Sequence, residues 1–204
     1  MKSAIDAVVR SVRSLRRPSK AANSRLLRAR GETPASLVIR DAASSDIPAL
    51  ARLHVTTWNA THGWRPHGPT CELRERQWRE AFSRVDGRWF CLVVQRPGGE
   101  LVGFAKGVRY EHSDLPGFAG ELNKIYLLRE YQQQGLGRRL MGLVARRFLS
   151  QGIRSMVLFG EARNPSCAFW EALGGERLHA PNGEFHGGYG WRDLQPLASI
   201  CPAD

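Results

Sequence analysis

The stretch of this sequence best suited to chemistry is Gln132-Gln133-Gln134-Gly135-Leu136-Gly137, which follows Arg129-Glu130-Tyr131 and opens a long amphipathic segment. Glycines at the mouth of a helix let a ligand come close to the backbone. The first N–H groups of such a helix have no intrahelical partner and point outward with the positive end of the helix dipole behind them. Residue type and position together describe a cradle for phosphate groups. The spacing excludes two other phosphate loops. Arg138, Arg139 and Leu140 follow Gly137, so no G-x-G-x-x-G is completed, and no Gly-Lys-Ser/Thr marks a P-loop.

Two carboxylates lie near this segment in sequence. Glu121 stands eleven residues before Gln132, at the start of an apolar strand, and Glu161 stands just before Asn164. Either can serve as a base or meet a cationic substrate, and either can equally be a solvent-facing side chain. The six histidines have no ligand spacing, and Cys71, Cys91, Cys167 and Cys201 form no C-x-x-C pair, so no metal site is expected. Four thiols without a secretory signal suit a reducing cytosol, and a cytoplasmic location is the expectation.

The elements that must position these groups alternate between strand and helix. Residues 36–40 read as a first strand. Ser44, Ser45 and Asp46 can cap a helix carrying Ile47, Leu50, Leu53, His54 and Trp58 at helical spacing. Residues 61–69 read as a loop and 70–82 as a polar helix marked by Leu73, Trp78 and Phe82. Residues 89–95 and 101–110 form a hairpin about the Pro97-Gly98-Gly99 turn. A strand over 122–128 leads to the glycine loop and a helix over 136–149. A strand over 154–159, a short helix over 166–173 closed by Gly174-Gly175, and a strand pair over 177–180 and 184–192 complete the chain.

The chain has 204 residues, 42% of them hydrophobic and 24% charged, with a net charge of +11. These values exclude a wholly disordered chain, and no internal period suggests a repeat array. The charge is uneven. Residues 1–34 hold nine Lys or Arg against Asp6 and Glu32, a net +7, which leaves +4 for the remainder. Within this arm, Ile5, Val8, Val9, Val12 and Leu15 have helical spacing up to Pro18, and residues 19–34 read as linker or disorder. An arm of this composition suits an anionic membrane surface, a nucleic acid, an organelle-type transit peptide, or a solvated extension without a specific role. It lies outside every motif and is expected to be dispensable.

The loop and a second block together resemble a known family. Gln132-x-x-Gly135-x-Gly137, placed between an apolar strand and a basic amphipathic helix, resembles the acetyl-CoA pyrophosphate loop of GNAT-superfamily N-acetyltransferases. Asn164-Pro165-Ser166-Cys167-Ala168-Phe169-Trp170-Glu171-Ala172-Leu173-Gly174 resembles the family's N-P-x-x-x-F-Y-x-x-x-G segment. The element order over residues 36–193 matches as well. The resemblance implies a single α/β (α+β) domain over residues 35–195, with the arm before it and a tail over 196–204. Its central sheet is mixed and mostly antiparallel, with splayed central strands flanked by helices.

The resemblance also implies roles. Leu127, Leu128 and Arg129 would pair with the pantetheine arm of acetyl-CoA, the Leu127 N–H polarising the thioester carbonyl. Gln132, Gln133, Gln134, Gly135, Leu136, Gly137 and Arg138 would hold the pyrophosphate, and Asn164 would bond the pantetheine amide or simply cap a helix before Pro165. Glu121 matches the strand glutamate that is the base in lysine-acetylating members, and Glu161 is the second candidate. Trp170 replaces the family's usual tyrosine acid, and indole is not a usable acid. It would stack along the cofactor or fill core. Tyr126 and Tyr189 are then the residues to consider for protonating the departing thiolate.

The implied activity is transfer of an acetyl group from acetyl-CoA to a primary amine, by direct attack in a ternary complex. A non-catalytic acyl-CoA-binding or regulatory module is the alternative, and Trp170 is its support. The acceptor is a small-molecule or protein amine. A homodimer, and nucleic acid or anionic membrane at the arm, complete the partners to be weighed.

Overall fold

A computed structural model of the chain describes residues 19–63 and 67–200. The helix read over residues 5–15 and Cys201 lie outside the described residues. The elements, in order, are α1 (Lys20–Ala29), β1 (Val38–Asp41), α2 (Ile47–His62), α3 (Cys71–Ser83), β2 (Trp89–Gln95), β3 (Leu101–Arg109) and β4 (Gly120–Leu127). There follow α4 (Leu136–Ser150), β5 (Met156–Phe159), α5 (Cys167–Glu171), β6 (Glu176–His179), β7 (Phe185–Trp191) and α6 (Gln195–Ala198). Three-residue 3₁₀ turns precede β1 and α2 and follow β4. Among the described residues no helix is long and apolar enough to cross a membrane.

Seven strands form one sheet in the order β1-β2-β3-β4-β5-β7-β6. Every neighbouring pair is antiparallel except β4 and β5. Helices cover both faces, which is why β2 is apolar almost throughout rather than alternating. Phe90, Leu92 and Val94 face one core with Leu136, Leu140, Met141, Val144 and Phe148 of α4. Cys91 and Val93 face another with Ile47, Leu50, Leu53 and Trp78 of α2 and α3. Thr70 Oγ1 caps α3 by accepting from the Leu73 N–H, and the Asp46 carboxylate closes the turn ahead of α2 by accepting from the Ala43 N–H.

β4 carries a bulge. Lys124 pairs with Lys106 and Leu122 with Gly107, so Asn123 is an extra residue in the ladder. In a regular strand Leu122 and Ile125 would face opposite sides. Here both pack in the α4 core, while Tyr126 turns to the core of α2 and α3.

At both ends the folded body extends beyond the sequence reading. Residues 19–34 are not a linker. Ser19 Oγ caps α1 by accepting from the Ala22 N–H, and Leu27 is 1% exposed in the α4 core. Buried Glu32 accepts from the Tyr131 hydroxyl at 2.9 Å and lies 2.7 Å from Arg96 Nε, an ion pair whose angle is poor for a hydrogen bond. The sequence hid this helix because it has few apolar residues and its contacts are mostly polar. The second difference is at the other end. Position 196, read as the start of a tail, lies inside α6. Leu197 and Ala198 are buried, and the Ala198 carbonyl accepts from Arg146 Nε.

Residues 20–36 are therefore part of the folded body, and removing them should matter. A chain beginning at Pro34 is expected to unfold at lower urea than the full chain. Leu27→Ala alone should cost roughly 2–5 kcal/mol, as for other buried leucines. Equal urea midpoints for all three proteins would show that α1 contributes nothing.

Candidate active site

The site is built where β4 and β5 part. Their parallel pairing covers only Gly120 with Met156 and Glu121 with Val157. Beyond this point each strand keeps its outer neighbour: β5 stays on β7, and the Gly160 N–H donates to the Gly187 carbonyl. β4 stays on β3 to its end, where the Leu128 N–H donates to Val102 O. Groups alternate along a strand, so the N–H and C=O of Leu127 face the opposite, open edge. The Leu127 carbonyl accepts from Gln132 Nε2 at 3.0 Å. Of the three residues expected to line the pantetheine arm, Leu128 thus has its N–H bound to β3, and Leu127 faces the opening.

The loop at Gln132 is shaped by two left-handed residues, Gln133 at φ 61° and Gly135 at φ 82°. Gly135 is the N-cap of α4, and a Cβ there would meet nothing within 4 Å, so open space lies before the helix mouth. Helix α1 braces the loop from outside. Asn23 is 1% exposed, and its Nδ2 donates to Arg129 O at 2.7 Å and Gln132 O at 2.8 Å. Ser24 Oγ donates to Gln134 Oε1, and Gln134 Nε2 donates to the Lys20 carbonyl. The side chains of Gln132 and Gln134 therefore hold the loop itself. What this leaves for an anion is the backbone N–H set at the start of α4, with exposed Arg138 beside it.

The two candidate carboxylates stand in different surroundings. Glu121 is half-buried on β4, and its Oε1 accepts from Asn123 Nδ2 at 2.7 Å. Asn123 Oδ1 in turn accepts from Lys124 Nζ at 2.7 Å. Glu161 lies past the end of β5, 3.7 Å from His62 Nδ1 at the end of α2.

In the second block, Asn164 Oδ1 accepts from the Ser166 N–H, the local capping role. Trp170 is 8% exposed, packs on Phe169 and Trp191, and gives its indole N–H to Ser166 Oγ, which places it in the core. Tyr189 is fully buried and donates to Glu171 Oε1; burial pushes its phenol well up. Tyr126 packs on His54 and Phe104, and burial raises it too.

A group of residues that the sequence reading did not single out lies on the same face as Tyr126. His54, Arg74, Gln77, Trp78, Lys106 and Lys124 line a cavity of about 220 Å³ between α2, α3 and the sheet. Burial, and then the Lys106 and Arg74 cations, push the Lys124 ammonium down to about 8, against a smaller opposing pull from Glu121. Burial also lowers Lys106 and Arg74. His54 is 2% exposed; burial, and then Arg74, Lys124 and Lys106, push its pKa down to about 3, so it is neutral at pH 7. The available signal was a lysine in the interior of each of two neighbouring strands, Leu101–Arg109 and Gly120–Leu127.

Comparison with known proteins places the fold in a family. The model of the acetyltransferase (GNAT) family matches residues 47–174. A curated relative, the uncharacterized N-acetyltransferase YuaI of Bacillus subtilis strain 168, is 33% identical over 172 residues. Those residues are 80% of this chain and 98% of the relative. The PaiA N-acetyltransferase of Thermoplasma acidophilum, solved in complex with coenzyme A, aligns with a TM-score of 0.56 at 18% identity, over 76% of this chain and 98% of that one. A GNAT-family acetyltransferase of Staphylococcus aureus Mu50 aligns with a TM-score of 0.62 at 13% identity, over 78% and 99% of the two chains.

Buried His54 should leave a mark on stability. The unfolded chain takes up its proton near pH 6.5, whereas the folded chain keeps it neutral down to about 3. Between those values the unfolded state binds more protons, so stability falls as pH drops from 6.5 toward 3. The slope from this one group approaches about 1.4 kcal/mol per pH unit. Urea midpoints between pH 7 and 4 should fall less steeply for His54→Phe than for the parent, and parallel declines would contradict this.

Proposed function

The chain belongs to the acetyltransferase (GNAT) family and is an N-acetyltransferase, and on that premise we propose that it moves an acetyl group from acetyl-CoA to a primary amine by direct attack in a ternary complex. The observation that carries this reading is the open edge of β4 ending beside the glycine mouth of α4. A strand edge offers backbone groups to an extended ligand, and the helix mouth offers N–H groups to phosphates. Open space at Gly135 fits that use. The coenzyme A complex of the Thermoplasma relative supports it by analogy.

Acetyl-CoA supplies an activated acyl group when bound, and the protein's part is to hold and polarise it. The N–H groups opening α4 take the pyrophosphate. The Leu127 N–H, facing the open edge, is the donor for the oxyanion that develops on the thioester carbonyl. Gln132 fixes this position by holding the Leu127 carbonyl on the same edge. An ammonium cannot attack, so a base must take its proton. Glu121 is the first candidate, since the strand of the thioester site carries it and Asn123 orients its carboxylate. Glu161, beside His62 at the far rim, is the second. Trp170 is absent from the proton path because its N–H is held by Ser166. When the C–S bond breaks, the coenzyme leaves as a thiolate that must take up a proton; of the two tyrosines considered for this, Tyr126 on β4 is the nearer in sequence to Leu127, and Tyr189 is tied to Glu171.

Two substitutions test the two halves of this reading. Gly135→Asp places a carboxylate in the open space before α4 and should weaken acetyl-CoA binding by at least tenfold, about 1.4 kcal/mol. Unchanged calorimetric affinity in the folded variant would remove the loop from the cofactor site. Glu121→Gln keeps shape and removes the base. It should lower kcat by roughly 10² to 10³-fold at neutral pH, with partial recovery at high pH where free amine becomes common, and leave acetyl-CoA affinity unchanged. Full activity in Glu121→Gln together with loss in Glu161→Gln would transfer the role to Glu161.

A further inference from the structure

The cavity between α2, α3 and the sheet has the electrostatics of an anion site. Three of its six lining residues, Arg74, Lys106 and Lys124, are cations, and none of them is ion-paired to a carboxylate among the described residues. The Arg74 guanidinium donates to the neutral amide of Gln77, and Lys124 donates to that of Asn123. The acid nearest in the strand, Glu121, accepts from Asn123 instead. Clustered, half-buried like charges repel one another, and a protein ordinarily separates or neutralises them.

Buried nitrogens of the same lining residues also lack partners. Trp78 Nε1, His54 Nδ1 and Arg74 Nε are buried nitrogens without a hydrogen-bond partner, and all three residues line the cavity. Trp78 and His54 are 3% and 2% exposed. An unpaired buried indole N–H is costly, and an acceptor atom is what it lacks. Lys106 is held over the faces of Trp78 at 5.5 Å and Trp89 at 5.3 Å, which favours its charged form in spite of burial. Three cations thus line one small space, whose walls also hold buried nitrogens without partners.

Its position ties it to the reaction. Lys124 and Leu127 share β4 and lie three residues apart, roughly 10 Å along the strand. At about 220 Å³ the cavity holds one end of a small molecule. We infer that the acetyl acceptor is a small amine that also carries an anionic group, a carboxylate, phosphonate or phosphate, and that Arg74, Lys106 and Lys124 bind that group while the amine reaches toward Leu127. The use of the site as an acceptor subsite rests on the acetyl-transfer reading; the anion site itself does not.

The test separates the two. The full chain is titrated calorimetrically with inorganic phosphate and with glutarate, alongside Lys124→Met, Arg74→Met and Gly135→Asp. Binding should weaken at least tenfold in each Met variant, survive in Gly135→Asp, and be retained in Lys124→Arg, which keeps the charge. Loss of one clustered cation relieves repulsion, so the Met variants should melt no lower than the parent. Free-thiol release from acetyl-CoA is then followed with matched amines, each with and without its anionic group, such as amino acids against their decarboxylated amines and 3-aminopropylphosphonate against propylamine. The anionic member should have at least a tenfold higher kcat/KM, and Lys124→Met should bring the ratio close to one. Anion binding indifferent to both Met variants, or matched amines acetylated equally, would overturn the proposal. Anion binding as described with no amine of either kind acetylated would uphold the anion site and overturn the acetyl-transfer reading.

Discussion

The structure turns on how briefly β4 and β5 pair. Two residues of parallel ladder hold the halves of the sheet together at Gly120 and Glu121. Past that point β4 is committed to β3 and β5 to β7, so neither is free to follow the other. The result is an open strand edge in the middle of a domain, where unpaired backbone groups are ordinarily avoided. Helix α4 makes the divergence sustainable. It starts at the mouth of the opening, and Leu136, Leu140 and Val144 fill the core beneath it, so the parting strands rest on a packed helix rather than on water. Gln132 then takes up the Leu127 carbonyl, one of the groups the parting exposes.

A loop with two left-handed residues, Gln133 and Gly135, needs bonds from outside the helix ladder to hold its shape. This loop takes them from its own amides and from α1. Gln132 and Gln134 turn their amides onto the protein, and α1 supplies Asn23, whose single amide nitrogen bridges the carbonyls of Arg129 and Gln132. Behind Asn23, Tyr131 links Arg30 and Glu32, and Glu32 pairs with Arg96 after β2. Such a connected buried network rigidifies what it touches, because moving one member strands the others. Residues 20–32 are thus a brace for the glycine loop, and two of them, Asn23 and Glu32, are buried polar groups that fix its position.

Much of this was legible in the sequence, and the part that was not has physical reasons. The ends of β2 and the start of α4 fall where the residues put them, because apolar content and turn chemistry at Pro97-Gly98-Gly99 and Gly135 are local. The glycine loop was legible for the same reason. Helix α1 was not, because Asn23 and Glu32 look like surface residues until the chain brings carbonyls and Arg96 to them. Position 170 was readable only as a tryptophan where a tyrosine was expected; that its N–H turns to Ser166 depends on packing against Trp191. The cationic cavity escaped because Arg74, Lys106 and Lys124 come from α3, β3 and β4, and nothing in the spacing of any one element reveals that their charges meet.

The bulge at Asn123 joins these observations. It shifts the facing of β4 by one residue, so that Ile125 stays with Leu122 in the α4 core while Lys124 turns to the cavity opposite. The same extra residue supplies the amide that lies between Glu121 and Lys124, donating to the first and accepting from the second. A carboxylate and an ammonium that would otherwise neutralise each other directly are kept one side chain apart. Glu121 and Lys124 are thus each bonded to Asn123 rather than to each other, on a strand whose other edge is fixed by β3. Bulges re-aim side chains next to sites of chemistry at the cost of ladder hydrogen bonds. In this sheet the cost is local, because the antiparallel pairing with β3 resumes at Lys124 and runs to Leu127, the residue that faces the open edge.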